Sequence, residues 1–205
     1  MCNSGLDLHS STASHIFGIP FEGVTKEERE KAKAIGFGLN YGLGAKGLKT
    51  NLKVTKNIDI TEKEANDLKR QFQAIYPVIT DYLEKAANKS LQHGYVTTLA
   101  GRICKTRDLE DAVYTIKNRG KNLPIQGLCA DMLKIAMGRL FLLLEPRGVK
   151  LVNCIHDELV FECRAEEAEE VAMIVKTEME KAGNLYLTNV PCVVKVTIGD
   201  HWKKD

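Results

Sequence analysis

Two helix starts in the first half of the chain carry the same four-residue pattern, Thr-x-x-Glu. Thr25 is followed by Glu28, and Thr61 is followed by Glu64. In this capping box the threonine oxygen accepts from the glutamate backbone N–H, and the glutamate side chain accepts from the threonine N–H. The sequence therefore predicts one helix that runs from Thr25 toward Tyr41 and a second helix that begins after Thr61.

Other local signals extend this pattern along the chain. "DLHSSTASHIFG" predicts a short helix that ends at Gly18, and the glycine-rich "YGLGAKG" predicts the end of the helix from Thr25. Another helix is expected from about Val78 to His93, and a long, well-buried one is expected to begin near Pro124. A further helix is expected over residues 165–181.

Strand signals come mainly from the second half. "GYVTTLAGR" predicts a strand followed by a turn, and "VKLVNCIHDELVFECRA" predicts a hairpin with its polar "HDE" at the tip. "PCVVKVTIG" predicts a final strand. The fold class expected is therefore α+β, with a helical subdomain followed by a hairpin, a C-terminal strand and packing helices.

Composition limits the classes of protein that fit. A chain of 205 residues with 44% hydrophobic residues can bury a core in one or two domains. No apolar run approaches the roughly 18 residues needed to cross a bilayer, and the first residues lack a secretory signal, so we expect a cytoplasmic protein with no membrane partner. The six cysteines are scattered, which predicts reduced thiols rather than a disulfide framework.

Charge is concentrated in one stretch, although the net charge of the chain is only +2. Residues 26–56 contain eight basic residues against three acidic ones. This favours a polyanionic ligand held at one face, the alternative being a solvated basic surface.

"REKAKAIGFGLNYG" places Arg29, Lys33, Phe37 and Tyr41 four residues apart, so they share one side of a helix. The two cations could bind successive phosphates of a triphosphate, and the aromatics could contact a sugar and a base. The glycines that flank Phe37 would leave bare backbone against which a flat ligand could lie. The alternative is an amphipathic helix whose aromatics face a core.

Two further segments carry candidate chemistry. Asp157, at the tip of the predicted hairpin, could bind Mg²⁺, which prefers rigid carboxylate oxygens, but a polar turn without a ligand explains it as well. In "NLPIQG", Asn122 and Gln126 could donate to minor-groove edges, or they could be a helix cap and a surface amide.

Taken in order, the three segments resemble DNA polymerase family A. "RxxxKxxxFGxxYG" resembles the fingers helix of that family, "HDE" its last palm motif and "NxPIQG" the segment between them. The resemblance implies residues 1–10 as a palm edge, 11–117 as a helical fingers subdomain and 118–205 as the C-terminal part of the palm.

The resemblance also implies a role for each matching residue. Arg29, Lys33 and His9 would contact the triphosphate, Phe37 the deoxyribose, and Tyr41 the templating pair. The complete set implied for the dNTP is His9, Arg29, Lys33, Phe37 and Tyr41. Primer-template DNA would be contacted by Arg119, Asn122, Gln126 and His156. Asp157 would be a catalytic carboxylate that binds Mg²⁺ in a two-metal mechanism, with Glu158 beside it.

The chain departs from the family pattern in three respects. Gly36 stands where the family usually has Asn, and Arg119 is displaced by one position. The earlier palm motif, which carries the other metal-binding aspartate, would precede "DLHSSTA", and the chain begins too late for it. The end "VKVTIGDHWKKD" resembles the family's own end.

Two functions are therefore expected from the sequence. The first is the fingers and C-terminal palm part of a template-directed DNA polymerase, which works with a second polypeptide that supplies the thumb and the rest of the palm. It would act in the cytoplasm or in a phage replication complex there. The second is a catalytically incomplete remnant that only binds DNA or nucleotide. An unrelated nucleotide-binding enzyme is disfavoured because no P-loop or dinucleotide-binding glycine motif follows a strand.

Overall fold

The structure is a computed structural model that describes residues 7–202. Within this range the chain forms two compact units, which we call the first unit (residues 7–98 and 103–125) and the second unit (residues 99–102 and 126–202). The regular secondary structure of the described residues consists of helices and two antiparallel two-stranded sheets, which confirms the α+β prediction. Residues 1–6 of the predicted palm edge, including Cys2, lie outside the described range.

The first unit begins with five helices, four of which start or end at the predicted residues, including one that ends at His93. Both capping boxes form, at Thr25 and at Thr61, and Gly18 ends the first helix in the left-handed conformation with φ of 65°. The helices are α1 (Leu8–Phe17), α2 (Lys26–Asn40), α3 (Ala45–Lys56), α4 (Glu62–Ile75) and α5 (Pro77–His93).

Helix α3 has no counterpart in the prediction, because "YGLGAKG" contains helix-breaking glycines that favour a loop. Gly44 is the N-cap residue, and Leu48 and Leu52 bury their side chains almost completely. Burial of two leucines contributes several kcal/mol at about 2 kcal/mol each, more than the cost of one helical glycine.

One apolar core holds α1, α2, α3 and α4 together. Ile35 and Leu39 of α2, Leu48 and Leu52 of α3, and Phe72 of α4 belong to the same buried cluster. Each helix therefore turns one apolar face inward and leaves its other side available to solvent.

A short hairpin and the start of a long helix complete the first unit. Strand β1 (Tyr95–Thr97) pairs antiparallel with β2 (Ile103–Lys105). The sequence predicted the first of these strands and the turn after it, but not the second strand. Helix α6 (Val113–Leu144) begins well before Pro124, so the predicted start is wrong. Its first part packs on α5 through Gly120, where an added Cβ would collide with the Ser90 side chain.

The second unit contains the remainder of α6, the predicted hairpin and the last helix. Strands β3 (Lys150–Ile155) and β4 (Glu158–Glu162) pair antiparallel, with a bulge between Leu151 and Asn153. Helix α7 (Ala168–Asn184) packs Val171 and Val175 into a cluster with Leu140 and Leu144 of α6. The hairpin prediction and the last helix are thus confirmed.

Two predictions about the second unit are wrong. Phe141, Leu142 and Leu143 of α6 are 64%, 74% and 47% exposed, whereas Leu140 and Leu144 are buried, so the end of the long helix is buried on one side only. Residues 191–199 form no strand in the described chain. In this segment the backbone N–H of Cys192 donates to Asn184 Oδ1 and that of Val194 donates to Glu180 Oε1, both of them side chains of α7.

Candidate functional site

Arg29, Lys33, Phe37 and Tyr41, which we call the α2 stripe, lie on the solvent side of α2 and its C-cap. The opposite side of α2 buries Ala32, Ile35 and Leu39. Phe37 is 48% exposed and Tyr41 is 45% exposed, so the alternative in which these aromatics face a core is wrong. The stripe presents two cations followed by two apolar rings in the order that the spacing predicts.

His9 approaches the α2 stripe from the first turn of α1. Its ring centroid lies 5.9 Å from that of Phe37. Partial burial holds the pKa of His9 below its ordinary value, and the nearby charges of Arg29 and Lys33 act in the same direction, while Asp7 opposes them. Burial thus favours the neutral imidazole, which can donate one N–H to a ligand.

Arg29 is held by Asp7, a contact between α2 and the residue that precedes α1. Arg29 Nε lies 2.8 Å from Asp7 Oδ2, and Arg29 Nη2 lies 3.0 Å from Asp7 Oδ1. Hydrogen bonds from Arg29 and from Ser10 hold the pKa of the Asp7 carboxyl well below its usual range. The pair stays ionised at any physiological pH.

The aromatic end of the stripe is ordered by the turn that follows α2. The N–H of Leu43 donates to Gly38 O and that of Gly42 donates to Leu39 O, which is a Schellman motif with Gly42 in the left-handed conformation. This motif fixes Tyr41, whose ring is nearly parallel to that of Phe37, with centroids 6.2 Å apart. Gly42 thus ends the helix, as the glycine-rich segment predicts.

Gly36 and Gly38 do not offer a bare surface to a ligand, so that expectation is wrong. Both residues are buried. A Cβ on Gly36 would lie 3.4 Å from the Phe72 ring, and one on Gly38 would lie 3.0 Å from Leu43 Cδ1. The two glycines face the core because they are one position before and after the outward Phe37, and each step turns the helix by about 100°.

The residues expected to contact DNA differ in their surroundings. Asn122 Nδ2 lies 3.4 Å from the backbone oxygen of Tyr41, so the structure brings it to the end of the α2 stripe. Gln126 follows one turn later on α6 and is exposed. The Arg119 guanidinium instead forms ion pairs with Asp108 and Asp111 of the preceding loop.

The basic stretch 26–56 is only partly neutralised. Arg29, Lys31, Lys53 and Lys56 have acidic partners. In the described residues no ion pair involves the other four cations, namely Lys26, Lys33, Lys46 and Lys49. The stretch keeps an excess of positive charge, which favours an anionic ligand.

In the second unit, the tip of the β3–β4 hairpin presents His156, Asp157 and Glu158, all of them exposed. His156 adopts a left-handed backbone with φ of 55°, which allows the tight two-residue turn. Glu158 Oε1 accepts from Trp202 Nε1 at 2.7 Å. Asp157 forms no ion pair with any residue from 7 to 202, so its carboxylate is available to a ligand.

Asp157 fits one position of a magnesium site but not a complete one. Mg²⁺ takes near-octahedral oxygen ligation from one or two carboxylates, waters and substrate phosphates. Residues 7–202 contain no group of three or more His, Cys, Asp or Glu side chains that could hold a metal ion. The hairpin can contribute a single rigid carboxylate.

Two expectations from composition can be checked in the described residues. Among the described residues, Cys104, Cys129, Cys154, Cys163 and Cys192 are free cysteines. A search of residues 7–202 for a helix long and apolar enough to cross a bilayer found none.

Comparison with known proteins gives the family of this chain. The family model described as DNA polymerase family A matches residues 1–204. The chain belongs to DNA polymerase family A.

Similar proteins include bacterial DNA polymerase I. The chain is 39% identical to that of Aquifex aeolicus over 205 residues, and 38% identical to the thermostable enzyme of Thermus aquaticus over 202 residues. These alignments cover 98% and 97% of the chain but only 34% and 23% of the relatives. The chain thus spans about a third or less of the curated relatives that it matches.

A solved structure has the same fold. It is the POL domain of Pol1 from M. smegmatis in complex with DNA primer-template and dNTP, which matches with a TM-score of 0.77 and 33% identity. The match covers 88% of this chain and 32% of that one.

Sequence reasoning missed two residues of the first unit that shape the stripe. Asp7 precedes a helix and has Ser10 three positions later, a helix-start signal, but its pairing with Arg29 joins residues distant in sequence. Asn118 lies against Gly42, where an added Cβ would collide with its side-chain oxygen. Neither contact has a local signal.

Proposed function

We propose that this chain is the fingers and C-terminal palm part of a template-directed DNA polymerase. The observation that carries the proposal is the grouping of His9 with the α2 stripe on one exposed face of two packed helices. The family membership supports it, as does the match to a polymerase domain described with primer-template and dNTP.

In this proposal the first unit binds the incoming dNTP. Lys33 is a point charge without an ion pair in the described residues, and Arg29 offers a planar fork, so the two suit successive phosphates of a triphosphate. Neutral His9 donates one further hydrogen bond. Exposed Phe37 packs against the deoxyribose, and Tyr41 lies beneath the templating pair.

The second unit supplies Asp157 as one carboxylate ligand of Mg²⁺, with Glu158 beside it. When bound, the ion neutralises charge on the reacting phosphates and favours attack by the primer 3′-hydroxyl. The hairpin holds the Asp157 carboxylate in place through the β3–β4 ladder. The other carboxylate of a two-metal site comes from the remainder of the polymerase domain.

Primer-template DNA is bound by amides and by side chains near the turn. Asn122, beside Tyr41, and exposed Gln126 can donate to minor-groove acceptors, which vary little with sequence. His156 lies near the primer terminus in this proposal. Arg119 contacts DNA only if its ion pairs with Asp108 and Asp111 break. We assign residues 1–10 to the palm edge, 11–117 to the fingers and 118–205 to the palm, in a protein that acts in the cytoplasm.

A second candidate is a remnant that binds DNA or nucleotide without synthesis. The observation that favours it is the single available carboxylate of the hairpin, because residues 7–202 hold no metal-binding cluster. Under this alternative Asp157 has no role in any reaction.

The test is primer extension by the 205-residue chain together with a polypeptide that carries the thumb and the remaining palm, with Mg²⁺, primer-template and dNTPs. Asp157→Asn should lower extension at least hundredfold, because one metal ligand is lost. Asp200→Asn makes the same charge change at another exposed position of the second unit and should leave extension unchanged. Salt-sensitive DNA binding without any extension would support the remnant instead.

A further inference from the structure

Asp7 makes two kinds of contact with one carboxylate. Oδ2 accepts from the backbone N–H of Ser10 at 2.8 Å, so Asp7 is the N-cap of α1, the helix that carries His9. The same carboxylate takes both the Nε–H and one Nη2–H of Arg29. It therefore ties the helix that bears His9 to the helix that bears the α2 stripe.

The geometry leaves a defined part of Arg29 for a ligand. A guanidinium presents paired N–H donors on two edges, Nε with Nη2 and Nη1 with Nη2. Asp7 occupies the first edge. On the second edge, Nη1 lies 3.1 Å from Glu30 Oε1, and Glu30 is itself paired with Lys56 at 3.0 Å. A phosphate at the second edge would compete with Glu30 and not with Asp7.

We propose that Asp7 is a positioning residue, which fixes Arg29 so that its Nη1–Nη2 edge meets a phosphate of the incoming nucleotide. The inference rests on the proposed nucleotide-binding function of the α2 stripe. Asp7 acts through Arg29 and does not touch the nucleotide. A free arginine side chain would lose rotamer entropy on binding phosphate, whereas Arg29 is already ordered by its ion pair.

A substitution can separate the two contacts of Asp7. Asparagine caps helices about as well as aspartate, so Asp7→Asn keeps the start of α1 while it removes the charge and the bidentate acceptor. Glu27→Gln is the matched control, because it makes the same charge change on α2 and breaks an exposed pair with Lys31 without touching Arg29.

The experiment measures binding of inorganic tripolyphosphate, which has neither base nor sugar, to the 205-residue chain by calorimetry. Asp7→Asn should weaken tripolyphosphate binding about tenfold, because Arg29 loses the bidentate ion pair that orients its guanidinium. Glu27→Gln should bind like the unaltered chain, and both variants should melt close to it. Equal affinity of Asp7→Asn and the unaltered chain, with Arg29→Ala clearly weaker, would overturn the positioning role alone.

A double variant distinguishes positioning from a general structural effect. In the Arg29→Ala background, Asp7→Asn should cause no further loss of affinity, because Asp7 affects binding only by orienting Arg29, which is absent there. A second tenfold loss in that background would contradict the inference. If the unaltered chain binds no tripolyphosphate, the proposed nucleotide site fails and the inference fails with it.

Discussion

The two units prepare their candidate residues to different degrees. In the first unit the α2 stripe is ordered by contacts within the unit: an ion pair to Asp7, ring contacts among His9, Phe37 and Tyr41, and a glycine turn. In the second unit Asp157 sits on a tight hairpin, and residues 7–202 offer no cluster of ligands around it.

This difference follows from the kind of chemistry each unit offers. A triphosphate can be held by cations spaced along one helix and its neighbour, so a short stretch of chain suffices. A magnesium ion bound by two carboxylates needs ligands from separate parts of a chain. Under the proposed function, a segment covering about a third of the Aquifex aeolicus relative would hold most of a nucleotide site and a single ligand of a metal site.

The largest stability effect is expected at Gly42, which holds the end of the stripe. Gly42 and Gly148 both have positive φ, 86° and 75°, but an added Cβ meets Asn118 only at Gly42 and finds open space at Gly148. Gly42→Ala should cost about 3–4 kcal/mol and Gly148→Ala about 1–2 kcal/mol in urea denaturation. Adding Asn118→Ala should recover part of the Gly42→Ala loss, and equal costs at the two glycines would contradict this account.

The next effect concerns ligand binding and tests whether residues of the first unit, and not Asp157 of the second, bind the dNTP. Lys33→Ala should weaken dNTP binding ten- to hundredfold, since a charged hydrogen bond is worth about 1.5–3 kcal/mol. Titration of the 205-residue chain without divalent cation measures this. Lys49→Ala, which removes an exposed cation of α3, and Asp157→Asn should both leave the affinity unchanged. Loss of dNTP binding in Asp157→Asn would break the proposed division of roles.

A smaller effect tests why α2 contains glycines. Gly36→Ala places its methyl 3.4 Å from Phe72, an ordinary contact, and should raise stability by up to about 1 kcal/mol through helix propensity. Gly38→Ala places its methyl 3.0 Å from Leu43 and 3.4 Å from Leu48, so it should lower stability by about 1 kcal/mol. Thermal melts of both variants measure whether each substitution raises or lowers the stability. If both raise it or both lower it, the difference in packing around the two glycines is unimportant.

The smallest effect is the pH dependence of the Asp7–Arg29 pair. Because the pKa of Asp7 is lowered in the folded chain, the pair stabilises the fold above the unfolded pKa of about 3.9 and loses this contribution as pH falls below it. Solvent screening limits the contribution to less than about 1 kcal/mol. The stability gap between the unaltered chain and Asp7→Asn should be constant from pH 7 to 5. It should shrink toward pH 3, and a gap that stays constant to pH 3 would contradict this.

Local signals predicted the parts of the fold that depend on neighbouring residues. Capping boxes, the four-residue spacing of the stripe and the hairpin around Asp157 are properties of short segments, and the structure contains each of them. The exposure of Phe37 also agrees with the position predicted for it.

The features that the sequence did not predict depend on distant contacts. Helix α3 forms despite its glycines because two leucines reach the core, and α6 continues through Pro124, with Gly120 packed closely on α5. Residues 191–199 have strand propensity but form no strand, and the backbone N–H groups of Cys192 and Val194 donate to side chains of α7. The ion pair between Asp7 and Arg29 likewise joins residues that are distant in sequence, so no local pattern predicts it.

The proposed division of roles between the units is tested most directly by steady-state kinetics of primer extension, with a polymerase domain that contains this chain together with the thumb and the remaining palm. The account predicts that Lys33→Ala raises KM for dNTP with a smaller change in kcat, whereas Asp157→Asn lowers kcat at least hundredfold. If Asp157→Asn extends primers at the unaltered rate, or if both variants change only KM, the proposed function is wrong.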